Sequence, residues 1–220
     1  MTRLRVPETD QGIQGKISVE IYDQMQRRLR DKGWIETKEI LKCGITRGLA
    51  LEIGPGPGYL GLERLKSTQD TMLKGVDISA DMIAVAGRNA AAYGLQGRVE
   101  YVRSSGADLP FDNGTFDAVF AAGSLHEWSE PRKTLNEIGR VLKRGGRLLI
   151  SDFRRDMSPF LKWFLWLNAR PKEIRRGLLT SIAAAYTPDE LKALIRETDL
   201  SFCEVSPSPA GLKITGIKKM

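Results

Sequence analysis

Three glycines at alternate positions, Gly54, Gly56 and Gly58, follow a short apolar run, and Glu52 stands two residues ahead of them. Residues without a Cβ let a chain reverse tightly and let a ligand approach its backbone. Asp77 ends the next apolar run, at the distance where a carboxylate commonly grips both hydroxyls of a ribose. Together these residues describe a pocket for a nucleoside or nucleotide. Gly56 to Gly61 also spells G-x-G-x-x-G, the dinucleotide fingerprint, but its register is displaced: counted from Gly54, Tyr59 occupies the place of a glycine. A carboxylate at Glu52 would repel a pyrophosphate and favour a cofactor carrying positive charge. His126 is the only histidine; its intrinsic pKa suits a general base, while packing within a loop is the structural alternative. A single imidazole argues against a histidine-built metal cluster, and no metal is expected. Cys43 and Cys203 lie far apart without C-x-x-C spacing, so two reduced thiols are expected.

The elements that must hold these residues alternate in type. Gly48 to Ile53 reads as a buried strand and Tyr59 to Lys66 as a helix. Met72 to Val76 is a second strand. Ser79 can cap a helix over Asp81 to Tyr93, which places Met82, Val85, Ala86 and Ala90 on one face and stops at Gly94. Arg98 to Val102 and Phe116 to Ala121 read as strands, Pro131 to Leu142 as a helix, and Gly145-Gly146 as a turn into a strand over Arg147 to Ser151. Such alternation implies βαβ units and a parallel sheet. Pro171 to Ala185 reads as a helix, and Thr187-Pro188-Asp189-Glu190 as the start of another. Phe202 to Val205 and Leu212 to Ile217 read as an antiparallel pair, and Ile17 to Arg30 and Ile35 to Leu41 as N-terminal helices.

Four stretches carry a family resemblance. Ala50-Leu51-Glu52-Ile53-Gly54-Pro55-Gly56-Pro57-Gly58 resembles motif I of the class I, Rossmann-like S-adenosylmethionine (AdoMet)-dependent methyltransferases. Gly75 to Met82 resembles their second motif, Asp108 to Asp117 the approach to their fourth strand, and Glu137 to Leu148 the fourth helix and its exit. The similarity is to the small-molecule and quinone-biosynthesis subgroup, methyltransferase type 11. It implies a doubly wound, seven-stranded, mostly parallel sheet with its final strand reversed and a helical cap. It implies AdoMet as cofactor, S-adenosylhomocysteine as product, and methyl transfer by in-line displacement to a small molecule. In that family Glu52, Gly54, Gly56 and Gly58 would pack against the methionine part, Asp77 would hold the ribose, and Ile78 and Met82 would cover the adenine. Ser105, Gly106 and Ala107 fall where the family reads the adenine amino group, although it often has an acid at the position of Ser105. Leu125 would touch the cofactor within the stretch Ala122 to Trp128 that faces the reactive methyl. Tyr22 is the N-terminal residue placed to reach the cofactor. His126 is the candidate base, with Glu127 a weaker one.

The net charge of +7 is uneven: residues 1–47 carry +3, 48–153 carry −1, 154–176 carry +5, and 177–220 are neutral. The expected organisation is a helical cap over 1–47, an AdoMet-binding core over 48–153, a helical insert over 154–186, and a closing helix and strands over 187–220. The insert is expected to recognise an anionic or aromatic acceptor through Arg154, Arg155 and Trp163, with Tyr186 beside them; a dimer contact or a peripheral contact with acidic lipid is its alternative use. Local patches of this kind do not make a broad basic face, so nucleic acid is not favoured. No stretch approaches membrane-spanning length and no charged-then-apolar leader opens the sequence, so a cytoplasmic protein, monomeric or homodimeric, is expected. An RNA or protein methyltransferase, a non-catalytic nucleotide-binding protein and a dehydrogenase are the competing functions.

Overall fold

The computed structural model describes residues 4–8 and 12–219. The strands are β1 (Gly48–Ile53), β2 (Thr71–Asp77), β3 (Val99–Arg103), β4 (Phe116–Ala122), β5 (Leu142–Phe153), β6 (Glu204–Pro207) and β7 (Gly211–Ile217). Two N-terminal helices, α1 (Lys16–Asp31) and α2 (Thr37–Lys42), precede the sheet. The helices α3 (Tyr59–Lys66), α4 (Ala80–Ala92) and α5 (Pro131–Val141) connect its strands, and α6 (Pro159–Asn168), α7 (Ile174–Ala184) and α8 (Pro188–Arg196) follow β5. The sheet has seven strands in the order β3-β2-β1-β4-β5-β7-β6. β1 to β5 run parallel, and β7 runs antiparallel to both its neighbours. The order reverses between β1 and β4, which leaves a crevice beyond the C-terminal ends of those strands.

Successive side chains of a strand point to opposite faces, and the core divides accordingly. Leu51, Ile53, Val119, Ala121, Leu148 and Ile150 pack under Leu135 and Ile138 of α5 and Leu191 and Ile195 of α8. Their alternates Ala50, Ala118, Phe120 and Leu149 pack under Ile40 of α2 and Leu65 of α3. The central strands β1, β4 and β5 therefore bury successive side chains on both faces, as a sheet covered on both sides requires.

Three local signals act as the sequence implies. The Ser79 hydroxyl accepts from Met82 N and starts α4, Gly94 ends it with φ of +67°, and Thr187 with Glu190 forms a reciprocal capping box on α8. Three boundaries differ. Gly145-Gly146 lies within β5 and does not precede it, because Gly145 and Gly146 exchange hydrogen bonds with Lys218 and Leu142 pairs with Phe116. β6 starts at Glu204, because Cys203 N still bonds back to Leu200 O in a turn. α7 starts at Ile174, since Pro171 to Lys172 forms a turn whose carbonyls accept from Ile174 and Arg175.

The N-terminal helix is fastened by one buried carboxylate. Asp23 on α1 accepts from Arg27, from the Tyr59 hydroxyl on α3 at 3.0 Å and from Asn89 Nδ2 on α4 at 2.9 Å. A buried carboxylate persists only with such a partner set, so these contacts fix α1 beside the crevice and bring Tyr22 to it.

Candidate functional site

The crevice is lined by the loops leaving β1, β2, β3 and β4 and by α1. Its wall includes Tyr22, Gly54, Gly56, Asp77, Ile78, Met82, Ser105 and Gly106, all singled out by sequence. Gly12, Ile13, Val76, Ser104, Gly123, Ser124, Trp128, Ser129 and Thr134 also line it, together with Glu127. Gly123, Ser124 and Trp128 belong to the stretch after the fourth strand that the sequence had marked. Gly12 and Ile13 carried no local signal. They arrive because Ser79 Oγ donates to Ile13 O at 2.7 Å and Gly15 N donates to Asp81 at 2.9 Å.

Asp77 organises the floor. Its Oδ2 accepts from Gly56 N at 3.2 Å and its Oδ1 from Ser79 N at 2.9 Å, which ties the glycine turn to the end of β2. Burial raises its pKa, and the N–H donors of Ser79, Gly56 and Ile78 oppose that rise. Gly56 has φ of +52°, and a Cβ there would point toward the Tyr22 ring 3.3 Å away, into the crevice. The Tyr22 hydroxyl accepts from Gln26 at 3.0 Å, and burial holds its pKa above the usual range. The two acidic side chains of the wall are Asp77 and Glu127; among the described residues no lysine or arginine lines it.

This arrangement fits AdoMet. A ribose needs the carboxylate at the end of β2, an adenine needs apolar cover such as Ile78 and Met82, and the ammonium and sulfonium suit an acidic wall. Pyrophosphate would meet two carboxylates and no lysine or arginine.

Several expected residues stand elsewhere. Glu52 is 2% exposed and packs behind the glycine turn against Gly61 and Arg64, away from the crevice wall. Burial raises its pKa well above the ordinary carboxylate value, and the Arg64 charge opposes that rise. Gly58 is required by the protein's own packing: at φ of +83° a Cβ would collide with the Tyr101 hydroxyl. Ala107 and Leu125 are buried in the packing beneath the crevice. Ala107 N donates to Ser105 Oγ at 3.1 Å, which shapes the loop that Ser105 and Gly106 present.

His126 does not line the crevice either. Its ring is buried behind Glu127, with Nδ1 2.8 Å and 2.9 Å from the two Asp152 oxygens. Burial works against the imidazolium, but the hydrogen bond and charge of Asp152 outweigh it, and the pKa is raised. Burial likewise pushes Glu127 up to about 7, with Glu8 adding to the rise and His126 opposing it.

The insert departs most from expectation. Arg155 is 5% exposed, and its guanidinium donates to Ala185 O and pairs with Glu190 at the capping box of α8, so burial withdraws it from any acceptor. Arg154 pairs with Asp156 at 2.7 Å. Tyr186 is a core residue with Arg5 stacked 4.3 Å over its ring. Trp163 is exposed on α6, a helix with no buried residue. None of these four residues lines the crevice.

The comparisons with known proteins agree with this geometry. The methyltransferase domain model Methyltransf_11 matches residues 51–150. The methyltransferase YdaC of Bacillus subtilis (strain 168), whose own function is uncharacterised, is 30% identical over 78% of this chain and 90% of its own. Demethylmenaquinone methyltransferase from Clavibacter sepedonicus is 38% identical over 50% of this chain, and this chain spans 44% of that protein's length. The crystal structure of a SAM-dependent methyltransferase from Aquifex aeolicus superposes with a TM-score of 0.67 at 21% identity, covering 90% of this chain and 96% of the other. With YdaC aligned along most of both sequences, and the domain model spanning the strands that carry Asp77 and the glycine turn, the chain belongs to the class I S-adenosylmethionine-dependent methyltransferases of the methyltransferase 11 type.

Proposed function

We propose that the protein transfers a methyl group from AdoMet to a small, uncharged acceptor of quinol-like chemistry. The observation that carries the reading is the acidic, lysine- and arginine-free wall around Asp77 and Gly56. When bound, AdoMet supplies a methyl group on a sulfonium, and in-line attack by the acceptor leaves S-adenosylhomocysteine. Such a displacement needs orientation and proximity above all. The chain provides them through a glycine turn tied to Asp77, through Ile78 and Met82, and through Tyr22 on a helix fastened by Asp23.

Acceptor chemistry is read from the wall and from a relative. Trp128 and Ser129 offer a flat apolar surface beside a hydroxyl. The relative from Clavibacter sepedonicus is named for demethylmenaquinone. An anionic acceptor, expected from the +5 segment, is not part of this proposal, since the crevice wall is acidic.

The test is a thermal-shift comparison followed by turnover. AdoMet and S-adenosylhomocysteine should raise the melting temperature and NAD should not. Gly56→Val should abolish the AdoMet shift in a folded protein, because the branched side chain fills the volume beside Tyr22. Labelled methyl from AdoMet should then appear in a quinol fraction and not in RNA or protein; label in RNA or protein would overturn the acceptor class.

A second reading concerns where the acceptor is met. Phe160, Trp163, Phe164 and Leu167 of α6 are exposed, and Arg170, Lys172, Arg175 and Arg176 follow directly. An apolar helix flanked by cations suits a surface of anionic lipid. Co-sedimentation with acidic vesicles, lost in Phe160→Ser and at high salt, supports it; equal binding to neutral vesicles or none sinks it.

A further inference from the structure

Beside the crevice, one buried side chain has a polar atom with no hydrogen bond and two carboxylates aimed at it. The His126 side chain is 3% exposed, and among the described residues its Nε2 has no hydrogen-bond partner. Nε2 lies 3.6 Å from Glu8 Oε2 and 3.7 Å from Glu127 Oε1. These separations are too long for hydrogen bonds. They match the spacing of two ligands that share a cation: donors about 2.1 Å from one ion stand about 3.4 Å apart at a tetrahedral angle and about 3.6 Å apart at 120°. The ligand atoms of Glu8, His126 and Glu127 all lie within 4.8 Å of one another.

We infer that Glu8, His126 and Glu127 form a binding site for one divalent transition-metal ion of the Zn²⁺ or Mn²⁺ class. The surroundings are those of a metal-binding histidine. A ligating imidazole is usually held by a carboxylate on its other nitrogen, which fixes the tautomer and turns the free lone pair toward the ion. Asp152 does this at Nδ1, and Asp152 is itself fixed by the backbone N–H groups of His126 and Phe153, each at 2.7 Å. Glu8 is steadied as well: its second oxygen accepts from Ser181 Oγ at 3.4 Å. The segment that carries it is held by Val6 N to Ala183 O, by Arg5 Nε to Ala184 O at 2.6 Å and by Arg5 Nη2 to His126 O at 3.1 Å.

Charge points the same way. Glu8 and Glu127 converge on the buried imidazole nitrogen, and a divalent cation between them offsets their two negative charges. Three protein ligands leave a further coordination position open. Glu127 also lines the crevice, so the ion would stand at its wall, with that position available to water or to an oxygen atom of the acceptor. Asp152 is a positioning residue in this scheme. Metal binding at these residues does not depend on the methyl-transfer reading and can be measured without turnover.

The metal-stripped full-length chain, dialysed against Zn²⁺ or Mn²⁺ and analysed by elemental mass spectrometry, should retain one ion per chain. Co²⁺ should give visible absorption bands that Zn²⁺ displaces. Glu8→Gln and Glu127→Gln should each weaken binding at least tenfold, and Asp152→Asn by roughly 10–100-fold. Glu130→Gln, three residues away on the exposed side of the loop, should leave it unchanged. Glu8→Gln is the decisive variant, because Glu8 is partly exposed and lies outside every helix and strand; Glu8→Asp provides a second one. Sub-stoichiometric binding of both ions, or wild-type affinity in folded Glu8→Gln and Glu127→Gln, overturns the proposal.

Discussion

At the residue scale, Asp77 and Gly58 illustrate two different reasons for a residue to sit at the glycine turn. Asp77 faces the crevice and braces the turn through Gly56 N. Asp77→Ala should therefore weaken AdoMet and S-adenosylhomocysteine alike, by about 1.5–3 kcal/mol, the range for hydrogen bonds to a charged group. Calorimetry with both ligands checks this, and their affinity ratio should hardly move, because both carry the same ribose. Gly58 faces the protein. Gly58→Ala should cost about 1–3 kcal/mol in urea unfolding through its positive φ and its collision with Tyr101. The Tyr101 hydroxyl is buried with no hydrogen-bond partner among the described residues, so Tyr101→Phe should be neutral or stabilising. In the Tyr101→Phe background Gly58→Ala should cost less, and a double-mutant cycle should return a coupling energy above about 0.5 kcal/mol.

At the scale of elements, the connection from β5 to α8 works as a brace. Arg155, just past the end of β5, donates to Ala185 O after α7 and pairs with Glu190, whose other oxygen accepts from Thr187 N in the capping box. Truncating it leaves a buried carbonyl unpaired and weakens a helix start. Arg155→Ala should cost about 1–3 kcal/mol of stability while leaving kcat/KM per folded molecule unchanged. Thermal unfolding combined with active-site titration separates the two effects. A large fall in kcat/KM without loss of stability would restore the acceptor role that the sequence alone implied. The same logic explains why basic residues after Asp152 did not converge on a ligand: Arg154 and Arg155 were matched first by Asp156 and Glu190.

At the scale of the molecule, the crevice lies beyond the C-terminal ends of β1 and β4, and the exposed apolar surface lies on α6. No helix among the described residues is long and apolar enough to cross a membrane. Trp163 is 53% exposed on a helix without a buried side chain. Trp163→Ala should accordingly leave global stability within about 0.5 kcal/mol, as surface substitutions usually do, and AdoMet affinity should not change. Urea unfolding and calorimetry on the one variant measure both; a loss of stability would make α6 part of the core.

The sequence by itself determined the architecture and the end of the crevice formed by Asp77 and the glycine turn, because both rest on local patterns. Alternating apolar runs and helical faces place β1, α3 and α4 within a residue or two of their ends, and Gly54, Gly56 and Asp77 are tied to the ends of β1 and β2 by a turn too short to vary. The tertiary structure decided which polar groups meet. Glu52 reads as a partner for a cofactor until the packing of Gly61 and Arg64 shows it buried behind the glycine turn. Arg155 reads as a ligand contact until Glu190, 35 residues away, is found against it. His126 stands alone in the sequence, but Asp152 lies 26 residues beyond it, and Glu8 is brought to it from near the N-terminus. Local periodicity fixes which face of an element is buried; it carries no information about which distant side chain lies opposite, and that pairing governs charge, proton affinity and metal binding at this site.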